Sequence, residues 1–370
     1  MKLRFLLSGA GWPYLLVPFI AVAIVLELSH AEAGLIFGAS ALGVIPTAAL
    51  MGRATEELAV RSGPGIGGFL NVTFGNAPEL IIAFFALREG LQEVVKASLV
   101  GSILGNILLV MGAAMLVGGL KRERQTFNRT AANLQALMLL LATAALAMPA
   151  IFQLVSGGGL PKPEGESKNF GGDIEHLSIG VAIVLLATYA AGLFFSLRTH
   201  RDLFNPEHGD EDHVGEPWSV RKSVIALAIA GIAVGVMSEI LVGSITEASE
   251  SIGLSSFFVG IIVVAVVGNA AEHWSAIYFA SRDKMDLAVN IAIGSSAQIA
   301  LFAAPVLVLL SLFVGPFPMS LVFNGLELGA IFLAILVAQA VTYEGESTWF
   351  EGFQLLSVYV VLGLTFYFVG

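Results

Sequence analysis

Glu79 lies within the apolar stretch 66–87 and Glu272 within the apolar stretch 257–281, with no Lys or Arg close by in either. An ionisable side chain in the middle of a bilayer-length helix costs several kcal/mol and is a functional residue by default. Two carboxylates brought together repel unless a cation joins them or protons neutralise them. Such a pair has two chemical states, metal bound or protons bound.

The neighbouring residues supply further oxygen. Asn76 lies three residues before Glu79 and Asn269 three before Glu272, which places amide and carboxylate on one helix face. Ser102 and Asn106 are four apart, and Ser295 and Gln298 three apart with Ser296 adjacent. Carboxylate, amide and hydroxyl oxygens suit a hard cation such as Ca²⁺, which takes six to eight of them. Zinc or copper favours His and Cys; the chain has no Cys, and His273, next to Glu272, is off its face. The expected cation ligands are therefore Glu79, Glu272, Asn76, Asn269, Ser102, Asn106, Ser295 and Gln298. The Ser, Asn and Gln members also read as helix-packing residues. Pro78 has no N–H, so the Phe74 carbonyl should lose its helical partner and become a further possible ligand; the second copy has Ala271 there.

Other acids are less defined. Glu239 has no repeat counterpart, since Ala48 stands at the matching position, and it reads either as a proton or cation relay or as a satisfied polar residue. With Glu79 and Glu272 it completes the expected proton-coupling set. Glu56 and Glu247 lie nearer helix ends, in a vestibule or simply solvated. The role of Glu327 is open.

These motifs are duplicated. Gly75-Asn76-Ala77-Pro78-Glu79 recurs 193 residues later as Gly268-Asn269-Ala270-Ala271-Glu272, and at the same spacing Gly101-Ser102 meets Gly294-Ser295. Upstream, Gly52-Arg53-Ala54-Thr55-Glu56 meets Gly243-Ser244-Ile245-Thr246-Glu247 at a spacing of 191. Each copy spans five apolar stretches. An odd number puts the copies in opposite orientations, the arrangement of secondary transporters with a midplane site where the halves meet.

The elements that must position these residues are membrane helices. Hydrophobic residues make up 56% of the 370 and charged residues only 12%, with a mean hydropathy of +0.86. A soluble domain carries about 25% charge, so this chain must face a lipid bilayer. The net charge of −10 and the lack of a basic stripe exclude nucleic acid as a partner. Apolar runs fall near 11–28, 33–58, 66–87, 94–119, 131–155, 176–197, 221–243, 257–281, 287–314, 320–341 and 350–369, which predicts eleven spans. With loops numbered alternately, 14 of the 18 Lys and Arg fall on the side of the N-terminus and 4 (Arg88, Lys96, Lys162, Lys168) on the other. The first side is expected to be cytoplasmic, leaving the C-terminus external. Lys2, Arg4 and Ala31-Glu32-Ala33 resemble a cleavable signal, but the apolar stretch resumes at once, so a retained first helix is expected.

The expected organisation is an N-terminal transmembrane helix over 1–30, a first five-helix repeat over 31–200, an acidic cytoplasmic linker over 201–218 and an inverted second repeat over 219–370. The acids of 202–216 read as a solvated loop or a Ca²⁺ sensor, without the spacing of an EF-hand.

Gly75 to Leu87, Ser98 to Asn106, Val267 to His273, Gly294 to Ile299 and Thr199 to Phe204 together resemble the Ca²⁺/H⁺ exchanger (CAX) family of the Ca²⁺/cation antiporter superfamily, over 33–369. The Glu-His pair and the Gly-Ser-x-x-Gln run are closer to that family than to Na⁺/Ca²⁺ exchangers. The resemblance implies eleven helices with the first outside a five-plus-five repeat. It also implies that Glu79 and Glu272 hold Ca²⁺ and protons in turn, with Ca²⁺ as transported substrate and no cofactor. Pro78 departs from the pattern. The membrane is expected to be a prokaryotic plasma membrane. Na⁺-coupled Ca²⁺ exchange is the alternative within transport, and a non-transporting membrane scaffold the alternative outside it. No His-Glu-x-x-His, Gly-x-Gly-Asp or Gly-x-Ser-Gly run supports an intramembrane hydrolase.

Overall fold

The computed structural model describes residues 11–163, 169–199 and 218–369. The acidic linker, Lys2, Arg4 and Lys168 lie outside the described residues. Long apolar runs can satisfy their backbone groups in lipid only within helices, and nearly all of the described chain is helical. After a 3₁₀ turn at Trp12–Leu16 come α1 (Pro18–Leu28), α2 (Ala33–Gly75), α3 (Ala77–Arg88) and α4 (Gln92–Gly119). Next come α5 (Arg129–Val155), α6 (Gly172–Thr199), α7 (Val220–Ile252), α8 (Ser256–Ser281), α9 (Met285–Leu310), α10 (Gly325–Thr342) and α11 (Trp349–Val369). The two strands among the described residues, β1 (Gln125–Thr126) and β2 (Glu346–Ser347), form one short antiparallel ladder.

Nine helices among the described residues are long and apolar enough to cross a bilayer, and Trp12–Leu28 is apolar but shorter. The expected spans 33–58 and 66–87 are drawn differently. Helical backbone continues through 59–65 to Gly75, but it is sharply bent. A methyl group on Gly67 would fall 2.3 Å from the Ala59 carbonyl oxygen; in a straight helix residues eight apart lie about 12 Å apart. The stretch 66–87 is divided at Asn76, whose backbone leaves the helical region, and Pro78 sits in the first turn of α3. Proline is tolerated there because the first N–H groups of a helix have no partner anyway. The Phe74 carbonyl, expected to be free, accepts the N–H of Asn76.

α2 and α7 run antiparallel along their lengths. A Cβ on Gly34 would lie 3.4 Å from Ser251 Oγ, and one on Gly231 3.4 Å from Met51 Cε. α4 and α8 approach closely because Gly101 lacks a side chain: a Cβ there would fall 1.9 Å from the Ile261 carbonyl oxygen. α4 and α9 each contain a π-helical turn, at Gly105–Val110 and Ile299–Ala303, shortly after Ser102 and Ser295. These turns fall at corresponding places in the two copies, and such turns are frequent at functional sites.

The loops before α5 and α10 also correspond. Asn128 caps α5 and Asn324 caps α10, each accepting a backbone N–H from three residues on. Apolar side chains left on the outside, such as Leu141, Val184, Ile232 and Val360, give the bundle the exterior of an integral membrane protein.

Candidate cation site

α3 and α8 bring the two acids together. A Cβ on Gly268 would lie 3.4 Å from Glu79 Cγ, and one on Gly75 would lie 3.6 Å from Glu272 Oε1. The acid of each copy thus rests against the glycine of the other. Among the described residues no ion pair reaches either acid.

The amides cross between the copies. Asn76 Nδ2 donates to Gln298 Oε1 at 2.7 Å, and Asn269 Nδ2 donates to Ser102 Oγ at 3.0 Å and to the Ala265 carbonyl at 2.9 Å. Both amides therefore turn their oxygens away from these partners. Asn76 Oδ1, Asn269 Oδ1 and Glu79 Oε2 are buried and accept no hydrogen bond. Most buried polar atoms in proteins have a partner. Two unpartnered amide oxygens beside two carboxylates, one of which has its own unpartnered oxygen, make an environment that a cation would satisfy. Ser295 Oγ donates to Glu272 Oε2 at 2.9 Å and orients that carboxylate.

Seven of the eight expected ligands fall into this group of contacts. The eighth, Asn106, is one residue removed: its Oδ1 meets His273 Nε2 at 3.2 Å. His273 was set aside because it faces away from Glu272, but it is buried and pins α8 to α4 behind the site. Its place directly after Glu272 was the only sequence signal. Ser296 bonds its own helix at the Ala292 carbonyl.

The remaining acids have other partners or surroundings. Glu239 pairs with Arg88 at 2.7 Å, with both side chains about half exposed. Glu56 and Glu247 are exposed. Glu327 is fully buried but caps its own helix: its Oε2 accepts from Asn324 N at 2.8 Å, while Asn324 Oδ1 accepts from Glu327 N. Lys96, counted above as a loop charge, lies inside α4 and is 1% exposed. Its Nζ bonds Glu93 Oε1 at 2.7 Å and the Val322 carbonyl at 2.8 Å.

The family model described as "Sodium/calcium exchanger protein" matches residues 33–198 and 222–368. The chain is 42% identical to the Ca²⁺/H⁺ antiporter ChaA of Bacillus subtilis, over 99% of both chains. It is also 42% identical to a Ca²⁺/H⁺ antiporter of Synechocystis, over 90% of this chain and 91% of the relative. The solved structure of native YfkE superposes with a TM-score of 0.81 at 39% identity, covering 96% of this chain and 99% of that one. The H⁺/Ca²⁺ exchanger CAX shares the fold, with a TM-score of 0.70 at 16% identity, 97% of this chain and 92% of that one being covered. The chain belongs to the sodium/calcium exchanger protein family, in the branch of the Ca²⁺/H⁺ antiporters.

Proposed function

We propose that this protein exchanges Ca²⁺ for H⁺ across a membrane by alternating access, with Glu79 and Glu272 holding Ca²⁺ and protons in turn. One observation carries the reading. Two half-buried carboxylates, without a basic partner among the described residues, lie beside two buried amide oxygens that accept nothing. Ca²⁺ satisfies all four groups; protons on the acids remove the repulsion when the ion has left. Ser102, Ser295, Gln298 and Asn106 position the donors, and further oxygens of Ca²⁺ come from water.

The Ca²⁺/H⁺ antiporters at 42% identity over nearly the whole chain support this choice of ions. In this reading the eleven helices comprise α1 and two inverted five-helix repeats, α2–α6 and α7–α11. The repeats are joined by the acidic linker, and the N-terminus is cytoplasmic in a prokaryotic plasma membrane. Glu239, paired with Arg88 at 2.7 Å, has the contact expected of a satisfied polar residue, the alternative to its reading as a relay.

The test is ΔpH-driven ⁴⁵Ca²⁺ uptake in proteoliposomes. Glu79→Gln and Glu272→Gln should each reduce uptake to background while the protein still inserts. Near-normal uptake by both variants would overturn the assignment. A Na⁺ gradient that drives flux with pH clamped would select Na⁺ coupling instead.

A further inference from the structure

Outside the cation site, one groove combines charge with an apolar trough. It runs along the start of α7, has a volume of about 340 Å³, and is lined by Ser219, Arg221, Lys222, Ile225, Ala226 and Ile229. Its upper end is basic and its lower end is apolar. From Ser219 to Ile229 the helix rises about 15 Å. That is half of a hydrocarbon core of about 30 Å, or one leaflet. Below the groove the outward face of α7 stays apolar through Ile232, which is 71% exposed.

The basic end is held in place. The Lys222 ammonium lies 4.0 Å from the centre of the Trp218 ring, which also carries the Arg53 guanidinium at 5.0 Å. Trp218 is itself fixed by its backbone: its N–H donates to Glu57 Oε2 at 2.7 Å and its carbonyl accepts from Arg61 Nε at 3.1 Å. Among the described residues no carboxylate pairs with Arg221 or Lys222.

We propose that this groove binds one anionic phospholipid of the adjacent leaflet, its phosphate on Arg221 and Lys222 and one acyl chain along Ile225, Ala226 and Ile229. A basic pocket at headgroup depth recognises anionic lipid. The charge alone would also suit the acidic linker that ends at Trp218. A peptide of carboxylates, however, would leave Ile225, Ala226 and Ile229 uncovered, whereas a phospholipid matches both the basic and the apolar lining residues. Because α7 is packed along α2, a lipid seated here holds the pair at the interface and should influence the rate at which it moves.

The test uses the full chain, purified and reconstituted into phosphatidylcholine vesicles with or without phosphatidylglycerol. Retained lipid is read by native mass spectrometry, and exchange by ΔpH-driven Ca²⁺ uptake. Wild type should retain phosphatidylglycerol and transport several-fold faster in its presence. Arg221→Gln with Lys222→Gln should lower retained lipid by about tenfold or more. It should also lose the stimulation while matching wild type in pure phosphatidylcholine. Arg221→Lys with Lys222→Arg should retain both. Lys121→Gln with Arg198→Gln removes equal charge elsewhere and should leave lipid and stimulation intact. Undiminished lipid and stimulation in the Arg221/Lys222 double Gln variant would overturn the site and assign the effect to general surface charge. Restoration by inorganic phosphate in neutral vesicles would also overturn it. So would lipid that appears only when the 202–216 carboxylates are neutralised, which would give the groove to the linker. The lipid readout does not require transport, so failure of the proposed exchange and failure of the lipid site are distinguishable.

Discussion

The two halves of the molecule present the same donors on different backbones. Glu79 follows a break at Asn76 and a proline in the first turn of α3, whereas Glu272 lies within α8, helical from Ser256 to Ser281. Yet each Asn turns its amide nitrogen to the other half and each acid rests on the other half's glycine. The chemistry is kept by side-chain type and spacing, while the backbone is free to differ.

A second contrast lies in the loops that precede α5 and α10. Before α5 the clasp joins partly exposed groups to one buried side chain: Asp286 accepts from Asn128 N, buried Gln125 Nε2 reaches Asp283 at 3.0 Å, and Arg122 pairs with Asp283 at 3.2 Å. Before α10 the corresponding clasp is buried. Lys96 bridges Glu93 and the Val322 carbonyl, Gln92 Nε2 donates to the Phe317 carbonyl at 2.6 Å, and Glu327 is sealed in its capping box. Residues 319–324 are non-helical and buried. Non-helical backbone at membrane depth survives only where protein groups satisfy it. The buried clasp supplies those groups.

These contrasts can be broken by experiment. The largest expected effect is at the shared chemistry: Glu79→Gln and Glu272→Gln should both abolish Ca²⁺ uptake despite their different backbones. A variant that retained transport in one half only would show that the halves are not chemically equivalent.

Next is the buried clasp. Lys96→Met leaves Glu93 uncompensated and the Val322 carbonyl without its donor, and should lower stability by about 3–5 kcal/mol. Arg122→Met, in the exposed clasp, should lower it by at most about 1 kcal/mol. Thermal unfolding of the purified protein in detergent measures both, and Glu93→Gln added to Lys96→Met should recover part of the loss.

A smaller difference is expected at the caps. Asn128→Ala and Asn324→Ala should each cost about 0.5–2 kcal/mol, with Asn324 at the upper end because the Glu327 backbone N–H loses its acceptor in a dry setting. Equal shifts would remove burial as the distinction.

The smallest effect concerns the break itself. Pro78→Ala makes the first motif match the second, and uptake should stay within about threefold of wild type, because Ala271 already serves the equivalent acid. A loss of uptake with insertion intact would show that the first half needs its broken helix.

Legibility in the sequence followed the physical range of each feature. The 193-residue offset that matches the two motifs is legible in the sequence, whereas the same-face spacing of Asn76 and Glu79 is interrupted by the break at Asn76. The bend between 59 and 67 was not legible, because a Gly/Pro-rich run marks a break in direction without saying whether the backbone leaves the helix. Lys96 was misplaced because hydropathy treats every lysine near a span end as solvated. Its partner Val322 is 226 residues away. His273 is not legible from the sequence, because a residue off the Glu272 face shows its role only through Asn106 on another helix, 167 residues away.

Composition, periodicity and repetition alone determined a helical membrane protein, its duplicated motif and the two unneutralised acids. These are properties of single helices and of residue types, and local spacing reports them directly. Only the tertiary structure decided that Asn76 meets Gln298, that Asn269 meets Ser102, that Glu239 is held by Arg88, and that Lys96 is buried. Those outcomes depend on how closely helices far apart in sequence approach. That approach is set by side-chain volume at the contacts, as at Gly101 against Ile261, and no one-dimensional pattern records it.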